Sequence, residues 1–249
     1  MHRFFVQPEE CRGKIVVLGE KEGRHAARVL RLKPGDEVEL LDGAGHRHEG
    51  RIASVERHTV SVEVLRSSSV PRPPHVILAP AMLKGRAMDF LVQKATELGA
   101  TEIRPLITER TVVRVDPADV EKRMEDWRAT AIEACKQCGN PWLPRMGGPL
   151  GLERFLASRP PGMLLVAALS GDPRLPGEVF RGRERPAEAV TIVTGPEGDL
   201  TAGELDQLAI ARAISITLGP LVLRGETAAL ASLAIVQHEM RVMSRFARG

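Results

Sequence analysis

Residues 190–237 read VTIVTGPEGDLTAGELDQLAIARAISITLGPLVLRGETAALASLAIVQ. This stretch contains two short β-branched runs, Val190–Thr194 and Ile214–Leu218. Each run ends in a Gly-Pro pair, first Gly195-Pro196 and then Gly219-Pro220, and a helical pattern follows each pair. Strands that alternate with helices in this way predict an α/β domain.

Both helices of this stretch have ordinary sequence signals. Thr201 is a good N-cap, and Glu204 three residues later completes a capping-box pattern. The second helix is expected to begin near Glu226–Thr227, because Leu230 and Leu233 recur at helical spacing after it. Ligands of α/β sheets bind at the carboxyl ends of the strands, which is where both Gly-Pro turns lie. The turns therefore indicate a ligand site, and two ordinary tight turns are the alternative.

The rest of the chain divides at a serine- and proline-rich connector. Residues 67–74 read SSSVPRPP, which predicts an extended linker between domains of residues 1–70 and 71–249. The first domain has β patterns separated by turns, so we expect a small β-barrel or sheet with one helix over Arg24–Leu32. In the second domain we expect further strands at His75–Pro80, Glu102–Ile107 and Met163–Leu169, and helices over Arg86–Leu98 and from Asp116 to Cys138.

Composition limits the possible functions. With 43% hydrophobic and 27% charged residues, the 249-residue chain is an ordinary globular protein. A net charge of +3 permits a polyanionic partner without requiring one. With only 3% aromatic residues, we do not expect nucleic acid to be recognised by stacking a row of bases on aromatic side chains. Three cysteines, no secretory signal and no apolar span lead us to expect a reduced, cytoplasmic protein without a membrane segment. Cys135 and Cys138 lack further ligands nearby, so we expect no metal.

Several stretches together resemble one known family. GPEG at 195–198 and LGPLVLRGETA at 218–228 are similar to the paired C-terminal motifs of the SPOUT methyltransferases. KGRAMDFLVQKATELG at 84–99 resembles a stretch characteristic of the bacterial 16S rRNA (uracil-N3) methyltransferases within that superfamily. HRFF at 2–5, residues 25–52 and the ERT element at 109–111 match the same family.

This resemblance implies a PUA-like β-barrel that helps to hold RNA, followed by a SPOUT-type α/β domain with a C-terminal trefoil knot. It also implies S-adenosylmethionine as cofactor, a homodimer, and methylation of N3 of a uridine in 16S rRNA of the small ribosomal subunit. A Rossmann-type methyltransferase is not indicated, because no G-x-G-x-x-G pattern is present. The alternatives are a SPOUT methyltransferase that acts on tRNA or another rRNA base, and a non-catalytic RNA-binding protein of the same fold.

The resemblance and the strand ends together single out three sets of residues. Arg224 would orient the uracil or stabilise its anion, and Glu197 or Glu226 would accept a proton or shape the loop. The cofactor set comprises Leu169, Ser170, Thr194, Gly195, Pro196, Glu197, Gly198, Ile216, Leu218, Gly219, Pro220, Leu223, Thr227 and Ala228. The RNA set comprises Arg3, Arg24, Arg28, Arg31, Lys84 and Lys94.

Each set has a structural alternative. The arginines at 24, 28 and 31 are spaced to share one helix face, which would contact phosphates or would simply be solvated. Lys84 could be a solvated loop residue, and the two glutamates could hold loop-internal hydrogen bonds. The last helix carries an apolar face for a dimer or for packing within the chain, formed by Leu230, Leu233, Ala234 and Met240. The chain departs from the family pattern at Asn140, Asp199 and Leu221, where the family usually has Arg, Gly and Arg.

Overall fold

The structure, a computed structural model, describes residues 1–56, 59–113, 116–168, 172–181 and 187–246. The chain separates into two units, each with its own core. The first comprises Met1–Pro73 and Ala131–Leu143, and the second comprises Pro74–Thr130 and Pro144–Gly249. Residues 131–143 were not predicted to belong to the first unit, because the hydrogen bonds that hold them there join residues 72 to 134 positions apart in the chain.

The first unit is built on a five-stranded, mostly antiparallel sheet. Its elements are β1 (His2–Phe5), β2 (Ile15–Val17), α1 (Glu20–Arg24), β3 (Glu37–Leu41), β4 (His46–Glu56) and β5 (Thr59–Ser69). The strand order is β1-β3-β4-β5-β2, and only the β1–β3 pair is parallel. Alternate residues of the strands point inward, so that Phe4, Val38, Leu40, Ile52 and Val62 form the buried core.

The helix of the first unit begins and ends earlier than predicted. After α1 the chain makes a π-helical turn, His25–Val29, and Arg31 then has a φ of 55°. Neither conformation keeps the spacing of 3.6 residues per turn. Arg31 therefore does not continue the helix that was predicted to place it on one face with Arg24 and Arg28, although all three residues are exposed.

The connector between the units is shorter than predicted. β5 continues to Ser69, and Ser67 and Ser69 pair with His48 and His46 of β4. The serines are thus strand residues, and only residues 70–74 lack regular structure.

A six-stranded sheet in which every neighbouring pair is parallel forms the second unit and confirms the predicted α/β class. The second unit as a whole has eight strands: β6 (His75–Pro80), β7 (Glu102–Ile103), β8 (Leu106–Ile107), β9 (Arg145–Met146), β10 (Leu150–Gly151), β11 (Met163–Ala167), β12 (Ala189–Thr194) and β13 (Ile214–Ile216), as far as the described residues show. The order is β13-β11-β12-β6-β7-β9, and β8 pairs separately with β10. The predicted strand Glu102–Ile107 is split in two at Pro105, which has no amide hydrogen to donate.

The helices of the second unit are close to their predicted positions. They are α2 (Arg86–Glu97), α3 (Val120–Cys138), α4 (Leu152–Ser158), α6 (Ala202–Ile210) and α7 (Gly225–Phe246), although the end of α3 belongs to the first unit. A further short helix, α5 (Pro176–Arg181), was not predicted. The capping box of α6 is present as predicted: Thr201 accepts a hydrogen bond from the Glu204 amide, and the Glu204 carboxylate accepts one from the Thr201 amide.

The apolar face of α7 packs inside the second unit. Leu233, Val236 and Met240 are buried, and the helix contacts α2, α5, β6 and β12. Ala234, which the prediction included in this face, is exposed. None of the helices formed by the described residues has both the length and the apolar character needed to cross a membrane.

Candidate active site

The carboxyl ends of neighbouring strands meet at one edge of the six-stranded sheet. Ala167 at the end of β11 lies opposite Thr194 of β12 and Ile216 of β13, and Thr194 also lies opposite Pro80 of β6. The first Gly-Pro pair follows Thr194 directly, and the second comes three residues after Ile216. The structure thus brings together the strand ends that the sequence pattern had indicated.

A cavity of about 310 Å³ opens at this edge. Nine of the predicted cofactor residues line it: Gly195, Pro196, Glu197, Ile216, Leu218, Gly219, Pro220, Leu223 and Ala228. Thr194, Gly198 and Thr227 are not part of the lining, and Leu169 and Ser170 lie outside the described residues. Eight residues outside the set named above also line the cavity: Ala167, Ala168, Pro173, Asp199, Thr217, Leu221, Val222 and Gly225.

The first turn is fixed from outside by the segment that follows β8. The Arg110 Nη1 atom donates a hydrogen bond to the Gly198 carbonyl, 2.7 Å away. The amide of Glu109 donates to Glu204 Oε1 at 2.9 Å, and the carboxylate of Glu204 is 3% exposed. A buried carboxylate that accepts from two backbone amides is well satisfied, so the turn, α6 and the Glu109–Arg110 segment form one hydrogen-bonded unit.

The second turn presents backbone and apolar side chains to the cavity. Gly219 has a φ of 118°, a conformation that favours glycine, and its amide donates to Thr217 Oγ1 at 3.2 Å. Leu221 and Val222 line the cavity and are 74% and 77% exposed. The departure at Leu221 therefore places an exposed apolar side chain, instead of a cation, at the rim.

Of the three predicted catalytic residues, one lines the cavity and two lie outside its lining. Glu197 lines it and is exposed, whereas Arg224 and Glu226 flank the start of α7 outside the lining. The Arg224 carbonyl accepts from the Ala228 amide at 2.8 Å, which fixes its backbone in the first turn of the helix. None of the three side chains has a hydrogen-bond or ion-pair partner among the described residues, so the loop-internal role considered for the glutamates has no support there. The carboxylates of Asp199 and Glu204 make such bonds instead.

Only some of the predicted RNA residues are available for a ligand. Arg3 pairs with Glu39 at 2.6 Å and donates to the carbonyls of Lys136 and Gln137, so it fastens the end of α3 within the first unit. Lys94 pairs with Glu97 at 2.8 Å. The exposed Lys84 follows β6, one residue after Leu83, whose side chain contacts Gly225 in the cavity wall. Among the residues that the structure describes, Arg24 has only an exposed pair with Glu20 at 3.4 Å, and such pairs are weak.

The cavity fits S-adenosylmethionine in size and chemistry. Its volume lies at the lower end of the range for small-molecule sites, which is about 300–1,000 Å³. The lining is backbone and small apolar side chains, suited to an adenine ring, and its charged members among the described residues are Glu197 and Asp199, suited to a cation. A side chain at Gly195 would be tightly packed, because a Cβ there would lie 3.0 Å from Asp199 Oδ1.

Cys135 does not offer a thiolate at neutral pH. Burial raises the pKa of the Cys135 thiol to about 12, so it is protonated at neutral pH. Within the ranges that the structure describes, no group of three or more His, Cys, Asp or Glu side chains could hold a metal ion. Asn140, which replaces an arginine of the family pattern, accepts a hydrogen bond from the Trp142 amide at 3.0 Å and stabilises a local turn.

Comparison with known proteins agrees with this geometry. Residues 70–237 match the model of an RNA methyltransferase domain, and residues 18–65 match that of an RNA methyltransferase PUA domain. A ribosomal RNA small subunit methyltransferase E of Synechocystis is 31% identical over 94% of this chain and 76% of its own length.

Two solved structures cover nearly the whole chain and were determined with the cofactor bound. The ribosomal RNA small subunit methyltransferase E of Neisseria gonorrhoeae, bound to S-adenosyl methionine, is 32% identical with a TM-score of 0.84, over 95% of this chain and 97% of that one. A methyltransferase of Legionella pneumophila in complex with SAM is 30% identical with a TM-score of 0.85, over 95% and 96% of the two chains. The family resemblance is thereby confirmed: the chain belongs to the RNA methyltransferase family that includes the bacterial ribosomal RNA small subunit methyltransferases E.

Proposed function

We propose that the protein transfers a methyl group from S-adenosylmethionine to N3 of a uridine in 16S rRNA of the small ribosomal subunit. The observation that carries this proposal is the cavity at the ends of β11, β12 and β13, lined by both Gly-Pro turns. Two relatives of the same fold have been solved with this cofactor, and one of them is named as a ribosomal RNA small subunit methyltransferase E.

In this mechanism the cavity holds the cofactor and the residues around its mouth act on the uracil. Bound S-adenosylmethionine would supply an electrophilic methyl group. The backbone and apolar side chains of the two turns would hold and orient it, which is a positioning effect. Arg224 is exposed beside the start of α7 and has no internal partner among the described residues, so its guanidinium is available to stabilise negative charge on the uracil.

Uracil N3 has to lose its proton before or during attack. Glu197 lines the cavity and Glu226 flanks it in the first turn of α7, and neither carboxylate is engaged by the described residues. Either one could accept the proton. Of the two we favour Glu197, because it belongs to the cavity wall itself.

The RNA would be held mainly by exposed cations outside the cavity. Arg24, Arg28 and Arg31 are exposed on the first unit, and Lys84 is exposed on the loop that follows β6. These side chains suit phosphate oxygens, although they do not form the single helix face expected from their spacing. Arg3 and Lys94 are omitted from the proposed surface because they are only partly exposed.

We also propose that the protein is a cytoplasmic homodimer. The family resemblance implies a second copy that completes the site, and Leu221 and Val222 leave two apolar side chains exposed at the cavity rim for it to cover. Light scattering at micromolar concentration should give twice the mass of the 27.2 kDa chain. A monomer of unchanged cofactor affinity would contradict the dimer but not the activity.

The activity is tested with a labelled methyl donor. The protein is incubated with small ribosomal subunits from cells that lack the modification, and the labelled nucleotide is mapped and identified. Label at N3 of a 16S uridine is expected. Label on tRNA or on another base would support a different methyltransferase specificity, and cofactor binding without transfer to any RNA would indicate a non-catalytic binding protein.

A further inference from the structure

Asp199 is an unusual residue for its place in the first turn. Its φ is 60°, in the left-handed region that few residues other than glycine, asparagine and aspartate adopt. Its Oδ1 atom accepts a hydrogen bond from the Leu200 amide at 2.8 Å. The same oxygen lies 3.0 Å from the position of a Cβ on Gly195, so the carboxylate covers a residue of the cavity wall.

The charge of the cavity lining is entirely negative among the residues that the structure describes. Glu197 and Asp199 line it, and no lysine or arginine does so. Glu197 is exposed, whereas Asp199 is only partly exposed. The field of Asp199 inside the cavity is therefore less screened by water than that of Glu197.

We propose that Asp199 makes the cavity prefer the cationic cofactor over its neutral by-product, and this inference rests on the proposed function. S-adenosylmethionine carries a positive sulfonium, whereas S-adenosylhomocysteine has an uncharged thioether at the same place. The two ligands otherwise share their adenosine and amino-acid parts. A lining without charge would hold them alike, and a carboxylate beside the cavity wall selectively strengthens the binding of the cation. Asp199 is thus a specificity-determining residue that also lowers product inhibition.

The test compares the dissociation constants of both ligands by calorimetry for the wild type and Asp199→Asn. This substitution removes the charge, keeps an oxygen that can accept from the Leu200 amide, and places another residue tolerated at positive φ. S-adenosylmethionine should bind about three- to tenfold more weakly, as expected for one partly screened charge pair, while S-adenosylhomocysteine changes less than about twofold. Asp206→Asn, which removes the same charge from the exposed surface of α6, should leave both constants unchanged.

Each other result contradicts the proposal. Equal weakening of both ligands would mean that Asp199 shapes the turn or contacts a part common to both. No change in either dissociation constant would mean that the charge of Asp199 does not affect the bound ligand. Asp199→Gly gives a second check. Glycine relaxes the backbone at this position, and the variant should still lose affinity for S-adenosylmethionine selectively. A wild type that binds neither ligand would overturn the proposed function as a whole, whereas the outcomes above overturn only the role of Asp199.

Discussion

At the scale of single residues, Arg224 is the side chain on which the proposed chemistry most depends. Its backbone is fixed in the first turn of α7, while its guanidinium is exposed and makes no bond to the described residues. Arg224→Ala should lower turnover about 100-fold, the usual loss when a group that stabilises transition-state charge is removed. The dissociation constant of S-adenosylmethionine should change less than about twofold, because Arg224 is not part of the cavity lining. Single-turnover kinetics and calorimetry separate the two quantities, and equal losses of both would contradict the assigned role.

Arg110 acts on the cofactor site through another residue. Its hydrogen bond to the Gly198 carbonyl and the contact of its side chain with Gly198 hold the first turn in place. Arg110→Ala should weaken S-adenosylmethionine binding about three- to tenfold, since an exposed hydrogen bond from a charged donor contributes about 1 kcal/mol. Glu109→Gln is the matched control, because Glu109 reaches Glu204 through its backbone amide and keeps that bond. Faster hydrogen exchange in residues 195–200 of the Arg110 variant alone would show that the turn has loosened, and unchanged exchange with weaker binding would point to direct contact with the ligand.

At the scale of elements, the end of α3 is held in the first unit by the ion pair of Lys136 with Glu22, both of which are mostly buried. Lys136 pairs with Glu22 at 2.8 Å and with Glu133 at 2.9 Å, and its side chain is 12% exposed. Burial alone lowers the pKa of Lys136, but hydrogen bonds to Glu22 and Glu133 outweigh it and raise the pKa. Burial raises the pKa of Glu133, and its bonds to Lys136 and Lys21 reverse this and lower it.

Lys136→Met should therefore destabilise the first unit by about 2–3 kcal/mol, because it leaves Glu22 buried without its cation. A raised lysine pKa stabilises the fold below its ordinary value of 10.5, and a lowered glutamate pKa stabilises it above 4.5. The difference between wild type and variant should thus be constant between these values and shrink as the pH falls below 4.5. Hydrogen exchange in residues 131–143 measures this difference in stability between the wild type and the variant. Glu22→Met combined with Lys136→Met should recover most of the loss, and no recovery would contradict the ion-pair explanation.

The same elements show what the sequence could and could not predict. The β-branched runs, the Gly-Pro pairs and the Thr201–Glu204 capping box are local signals, and they located the strand ends and the cavity correctly. The docking of residues 131–143 depends on Arg3, Glu22 and Arg47, which bond residues about a hundred positions away. No local sequence pattern predicts such pairs. Arg31 was wrongly predicted to be helical, because a π-helical turn interrupts the helix before it. The serines at 67–69 were wrongly predicted to be linker, because their pairing with β4 overrides their linker-like composition.

At the scale of the whole molecule, the proposed function assigns separate tasks to the two units. The cavity and both Gly-Pro turns belong to the second unit, whereas Arg24, Arg28 and Arg31 belong to the first. A variant that damages one task should therefore leave the other intact. This separation makes it possible to test the proposed RNA surface without disturbing the cofactor site.

The triple variant Arg24→Ala, Arg28→Ala and Arg31→Ala should weaken binding to small-subunit RNA and flatten its salt dependence. Each phosphate contact contributes about 0.7–0.9 to the slope of log K against log salt, so losing three contacts should reduce the slope by about 2–3. The affinity for S-adenosylmethionine should not change. The matched control, Lys122→Ala, Arg128→Ala and Arg154→Ala, removes the same charge from exposed residues outside the first unit and should leave the slope nearly unchanged. Equal slopes for the two triple variants would show that net charge alone drives RNA binding, and the first unit would then lose its assigned role.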